Sequence, residues 1–213
     1  MTDEAFTPAL GRLAPTFFYD GVVALTRERR WRGLVVRFAA PRAGEVVVDV
    51  GCGTGSLGRL LSTVEPGARI VGVDPDPEVL AIARRKTEAV EWRVGRGDAL
   101  AGMLGPDMAD VVVSSLVLHQ CPMAVKRSIL RAMGEVLRPG GRLVIADYGL
   151  QRTRVMRLAF RTVQFADGRA DTQPNADGVL PGLIAEAGFR DVAEAAVVPT
   201  VTGSISVYTA NWG

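Results

Sequence analysis

A short β-branched run at residues 45–50 passes without a spacer into Gly51-Cys52-Gly53-Thr54-Gly55, and a helix-like segment begins near Ser56. This junction of strand, glycine turn and helix leaves few folds open. Apolar runs of this length suit strands buried on both faces, as in a parallel sheet. Similar runs recur at 69–73, at 109–115 and, after the turn Arg138-Pro139-Gly140-Gly141, at 142–146. A further strand is expected at 90–95. Helix-like segments lie between them at 56–64, 77–86 and 122–137, where Asp76 caps a helix opened by Pro77 and Pro122 opens another. Strands alternating with helices predict an α/β, doubly wound fold with right-handed crossovers.

The two ends depart from this alternation. Residues 8–40 read as helical up to Pro41, so 1–42 is expected to form a helical N-terminal cover. Residues 150–177 read as a substrate-side insert, with a helix at 153–166 followed by the polar stretch DGRADTQPNADG. A helix at 179–187, closed by Gly188, leads to two last strands at 192–198 and 204–210, turned at Thr202-Gly203. No repeat or low-complexity tract interrupts the chain, and 1–213 is read as a single domain.

The glycine turn is where a ligand would sit, because it joins the carboxyl end of a strand to the positive end of a helix. Glycines there let the backbone turn sharply and approach a ligand closely. Three acids follow strands in order. Asp49 precedes Gly51 and can face a ligand ammonium group. Asp74, at the end of the next strand and followed by Pro75, can accept both hydroxyl hydrogens of a ribose. Asp98, with Ala99, can accept from an adenine amino group. Asp49 also has a plain structural reading as a loop brace and Asp98 as a turn residue, while Asp76, unlike Asp74, reads as a helix cap. A nicotinamide dinucleotide fingerprint also pairs a glycine turn with a ribose acid, and its third small residue would fall at Ser56. The carboxylate of Asp49 favours a cationic ligand over a pyrophosphate and so points to S-adenosyl-L-methionine.

Composition narrows the setting. A net charge of +2 gives no argument for nucleic acid. The two cysteines, Cys52 and Cys121, suggest no disulfide framework, and reduced thiols fit a cytoplasmic location. The first residues, MTDEAFTPAL, lack the plan of a signal peptide, and no apolar run approaches the roughly 18 residues that cross a bilayer.

The segments VVDVGCGTGSLG, VGVDPDPEVL, GDAL, ADVVVSSLVLHQ and LRPGGRLVIADYG resemble, in order over residues 45–149, the successive motifs of class I S-adenosylmethionine-dependent methyltransferases. Within that class the chain is most similar to the ubiquinone/menaquinone-biosynthesis methyltransferases and their small-molecule relatives. The resemblance rests on Phe18-Tyr19-Asp20, Arg30-Trp31-Arg32 and Thr202-Gly203-Ser204 as well. It implies a Rossmann-like seven-stranded sheet with helices on both faces and an antiparallel last strand. It also implies that Gly51, Cys52, Gly53 and Gly55 cradle the cofactor, that Tyr19 sits over it, and that Ser115 and Leu116 line its pocket. Residues 150–177 follow the family less closely, so the quinone-specific activity is not implied.

Methyl transfer from a sulfonium is an in-line displacement that needs alignment, exclusion of water and sometimes removal of a proton, but no metal. His119, the only histidine, is the candidate general base; the alternative is a structural or cofactor-shielding role. Cys121-Pro122 is read as a helix opening and not a nucleophile, since no motif supports a thiolate. The fourth strand lacks the Asn/Asp-Pro-Pro-aromatic segment of nucleic-acid methyltransferases in this family. The expected reaction is methylation of oxygen or carbon on a small apolar or aromatic acceptor. Two alternatives remain. One is headgroup N-methylation at a membrane surface, suggested by a stripe of Arg154, Arg157 and Arg161; the other is a non-catalytic cofactor-binding subunit.

Overall fold

The computed structural model describes residues 27–213. The part of the expected N-terminal cover that precedes Arg27, with Tyr19, lies outside the described residues. The chain runs α1 (Glu28–Ala39), β1 (Val46–Val50), α2 (Ser56–Val64), β2 (Arg69–Asp74), α3 (Pro77–Lys86), β3 (Val90–Val94), α4 (Leu100–Leu104) and β4 (Ala109–Ser115). It continues with α5 (Met123–Val136), β5 (Leu137–Tyr148), α6 (Arg154–Asp167), α7 (Arg169–Ala176), α8 (Leu180–Glu186), β6 (Arg190–Thr200) and β7 (Gly203–Asn211).

The seven strands form one sheet in the order β3-β2-β1-β4-β5-β7-β6. The first five are mutually parallel, and β7 runs antiparallel to both its neighbours, β5 and β6. The order reverses between β1 and β4, and a crevice at the carboxyl ends of strands flanking such a reversal is where doubly wound sheets bind ligands. Alternation along β1 sorts its side chains. Val47 joins the apolar layer under α1, α2 and α3 with Trp31, Leu57 and Leu80. Val48 and Val50 join the opposite layer, with Leu130 and Met133 of α5 and Leu183 of α8. Asp49 therefore occupies a core position on the α1–α2 side at the mouth of the crevice.

Three local differences from the sequence reading have physical causes. The polar stretch after α6 is largely helical (α7) despite Pro174 inside it. Tertiary bonds hold it: Asn175 Nδ2 donates to the Tyr148 carbonyl at 3.0 Å, and Lys126 Nζ donates to the Asp171 carbonyl at 2.9 Å. Strand β5 begins before the Pro-Gly turn, since Leu137 already pairs with Ala109. The last hairpin turns on Val201-Thr202, with Thr200 opposite Gly203, one residue earlier than expected.

Candidate active site

The glycine turn is fixed from both sides. Gly51 and Cys52 donate their N–H groups to the Val73 carbonyl at 2.8 and 3.1 Å. Gly55, with φ +77°, caps α2, and a Cβ on it would overlap the Trp92 indole and come within 2.7 Å of the Ala83 Cβ. Gly53, with φ +52°, faces open space, with no atom of the described residues within 4 Å of where a Cβ would stand. One glycine is thus required by packing and the other leaves an approach open. Lys86 Nζ donates to Thr54 Oγ1 at 2.8 Å, tying the end of α3 to the turn.

Two of the three expected acids meet here. Asp74 Oδ2 accepts the Gly53 N–H at 2.8 Å, and Oδ1 accepts the Asp76 N–H at 3.0 Å. Each oxygen retains a lone pair, enough to accept a hydroxyl apiece. Burial raises the Asp74 pKa, opposed by those two N–H groups. Asp49 is fully buried, and neither carboxylate oxygen has a hydrogen-bond partner among the described residues. The Gly58 N–H faces it and favours its charge, but outside the distance and angle of a bond. Burial pushes its pKa up from 3.8 to about 7; the Arg32 charge works against this rise and Asp74 adds to it. A fully buried acid with both oxygens unmatched is costly, and nearby cationic charge would relieve that cost.

Asp98 lies in the turn after β3 and is gripped by Arg96 through paired bonds of 3.0 and 2.7 Å, which lower its pKa. Ala99 follows it at the start of α4, and Pro75 follows Asp74 at the end of β2. Ser115 ends β4, and Leu116 follows in a left-handed conformation with φ +57°, its N–H bonded to the Ala146 carbonyl at 2.9 Å. The Cys52 thiol is buried and its pKa is pushed far up, chiefly by that burial and then by Asp49 and Asp74. Burial likewise holds Cys121 up at about 11, which leaves neither thiol as a thiolate.

His119 is arranged differently from the neutral base expected from the sequence. Its Nδ1 lies 2.7 Å from Asp147 and its Nε2 lies 3.4 Å from Asp167. Burial disfavours a charged ring, yet Asp147 above all, and then Asp167, raise its pKa from 6.5 to about 9. At neutral pH both nitrogens carry protons, so the ring has no lone pair with which to accept one. In this arrangement His119 ties the loop after β4 to Asp147 and Asp167, which is the structural alternative read from the sequence.

Asp147, not singled out from the sequence, organises this edge. Its Oδ2 accepts the Val117 and Leu118 N–H groups at 3.1 and 2.7 Å, while Oδ1 accepts the Tyr148 N–H at 2.7 Å. The signal was present, since Asp147 ends an apolar run just as Asp74 does. Ser114, also missed, donates from Oγ to the Val50 carbonyl at 2.8 Å and joins the two strands at the sheet's reversal. An aromatic wall follows: Tyr148 stands edge-on to His119 and tilted against Phe160 of α6, each at 5.0 Å between ring centres.

The chain is similar to known methyltransferases. Residues 47–141 match the model of a family described as a methyltransferase domain. The demethylmenaquinone methyltransferase of Thermus thermophilus is 34% identical over 64% of this chain and 62% of its own length. A ubiquinone/menaquinone biosynthesis C-methyltransferase of Rubrivivax gelatinosus is 32% identical over 56% of this chain and 46% of its own. The chain thus spans less than two thirds of these relatives. An O-methyltransferase family protein from Burkholderia thailandensis shares the fold, with a TM-score of 0.70 at 20% identity over 92% of this chain and 58% of that one.

Proposed function

Because the chain belongs to the class I S-adenosylmethionine-dependent methyltransferases and is related to their ubiquinone/menaquinone-biosynthesis group, we propose that it transfers a methyl group from S-adenosyl-L-methionine to oxygen or carbon of a small apolar or aromatic acceptor. The observation that carries this reading is Asp49. Its buried, unmatched carboxylate beside an open glycine turn suits a cationic ligand and would repel a pyrophosphate.

The residues present fit that cofactor. In this reading Asp49 faces the cationic amino-acid portion, with Gly51, Cys52, Gly53 and Gly55 forming the cradle. Asp74, with Pro75, takes the ribose hydroxyls on its remaining lone pairs. Asp98 and Ala99 hold the adenine, and Ser115 and Leu116 line the pocket. The cofactor, when bound, supplies an electrophilic methyl group. The chain's own part is to hold the acceptor in line, exclude water and keep the site from shifting. His119, charged between Asp147 and Asp167, positions the loop after β4 and takes no proton. Tyr148 and Phe160 are buried beside His119 and brace this side of the site.

The test is turnover: the purified chain with methyl-labelled cofactor, offered phenolic, quinone and lipid acceptors. Label in a phenolic or quinone product supports the reading. Cofactor binding without transfer to any acceptor would favour a non-catalytic role.

A further inference from the structure

Helix α6 has apolar side chains on opposite faces. Phe160 and Val163 are buried on the inner one. On the other stand Val155, Leu158 and Phe165, which are 76, 64 and 95% exposed. At 3.6 residues per turn these three fall, with Thr162, Arg154 and Arg161, within about a third of the helix circumference, and Arg157 borders that arc. The arc holds no acid. Among the described residues no carboxylate lies within ion-pair distance of Arg154, Arg157 or Arg161. The neighbouring hairpin turn extends the surface: Phe160 Cβ lies 3.3 Å from where a Gly203 Cβ would stand, and Val201 is 63% exposed.

A second copy docked face to face would set these arginines against each other with no acid to answer them. A surface of phosphate headgroups over hydrocarbon satisfies both features, with guanidiniums on the phosphates and Leu158 and Phe165 in the acyl boundary. No described helix is long and apolar enough to cross a membrane, so the contact lies along the surface. We propose that the outer face of α6, with the β6–β7 turn, docks on an anionic lipid bilayer. The docking itself does not depend on methyl transfer. If the proposed function holds, it has a consequence. The inner face of α6 meets Tyr148 and its last residue, Asp167, meets His119, so the bilayer would lie over the acceptor side and supply an acceptor that partitions into lipid.

The test is co-sedimentation of the full chain with phosphatidylcholine vesicles, with and without phosphatidylglycerol. Binding is expected only with the anionic lipid, weakened by salt. The paired change Leu158→Ser and Phe165→Ser should cost roughly tenfold or more in vesicle affinity. The pair Arg154→Gln and Arg161→Gln should cost about 25-fold at low salt. Hydrogen exchange along residues 154–167 should slow when anionic vesicles are present. Three results would overturn the proposal: no sedimentation with anionic vesicles, equal binding by the variants, or a dimer in light scattering that Phe165→Ser dissolves without any vesicle binding.

Discussion

Gly53 donates its backbone N–H to Asp74 Oδ2 at 2.8 Å, so the turn after β1 and the acid that ends β2 act as one unit. Replacing Asp74 removes the proposed ribose partner and also frees the turn. Asp74→Ala is therefore expected to weaken cofactor binding by roughly 10–100-fold, the range of one charge-assisted hydrogen bond. Unchanged affinity in calorimetry would show that Asp74 is not the ribose partner.

Two neighbouring glycines should respond in opposite ways. Gly55→Ala drives a methyl into Trp92 and Ala83, and is expected to lower stability by about 2–4 kcal/mol in denaturant unfolding. Gly53→Ala meets no atom of the described residues and should cost only about 1 kcal/mol for its left-handed backbone. It should nevertheless weaken cofactor binding, because the added methyl stands where the ligand approaches. Equal effects of both substitutions on folding and binding would contradict this division.

The His119 cross-link predicts a pH dependence of stability. Its folded pKa is raised from 6.5 to about 9, so its contribution is fully present below the unfolded value and is lost as pH rises through about 9. The span is worth on the order of 3 kcal/mol. His119→Gln should remove this slope and destabilise the chain at pH 7, since Asp147 and Asp167 lose their shared cation. A positioning role also predicts that turnover by the wild-type chain at saturating S-adenosyl-L-methionine does not rise as pH climbs from about 6 to 8, the window in which a neutral histidine base would become active. A rise of that form would restore the base.

Asp49 predicts the opposite slope for the ligand. With its pKa pushed up to about 7, the free carboxyl is largely protonated in mild acid and must ionise to meet a cation. Affinity for the cofactor should therefore fall as pH drops below 7, approaching tenfold per unit well below it. Asp49→Asn should bind more weakly at neutral pH and lose this dependence.

The sheet could be read from the sequence because its central strands are uniform runs of Val and Ile between capped helices, where local pattern and burial agree. The same pattern exposed Asp49, one residue before the end of β1, and Asp74, at the end of β2. Helix α7 was hidden because Pro174 and its polar neighbours carry no helical signal, and Asn175 and Lys126 hold the helix from elsewhere in the fold. The state of His119 was hidden for a similar reason. Its two carboxylates are 28 and 48 residues away along the chain (147 − 119 and 167 − 119), so no local reading could tell a free imidazole from a charged one. The outer face of α6 showed its arginines in the sequence, but Val155, Leu158 and Phe165 gained meaning only once Phe160 and Val163 were seen to fill the inner face.

The pocket beside β1 is proposed to hold a cation and not a phosphate-bridged coenzyme. Calorimetric titration of the purified chain with S-adenosyl-L-methionine and, separately, with a nicotinamide dinucleotide separates the two. Saturable binding of the first, tightening as pH rises toward 7, and none of the second are expected. Binding of the dinucleotide with no response to S-adenosyl-L-methionine would rule out the cation site.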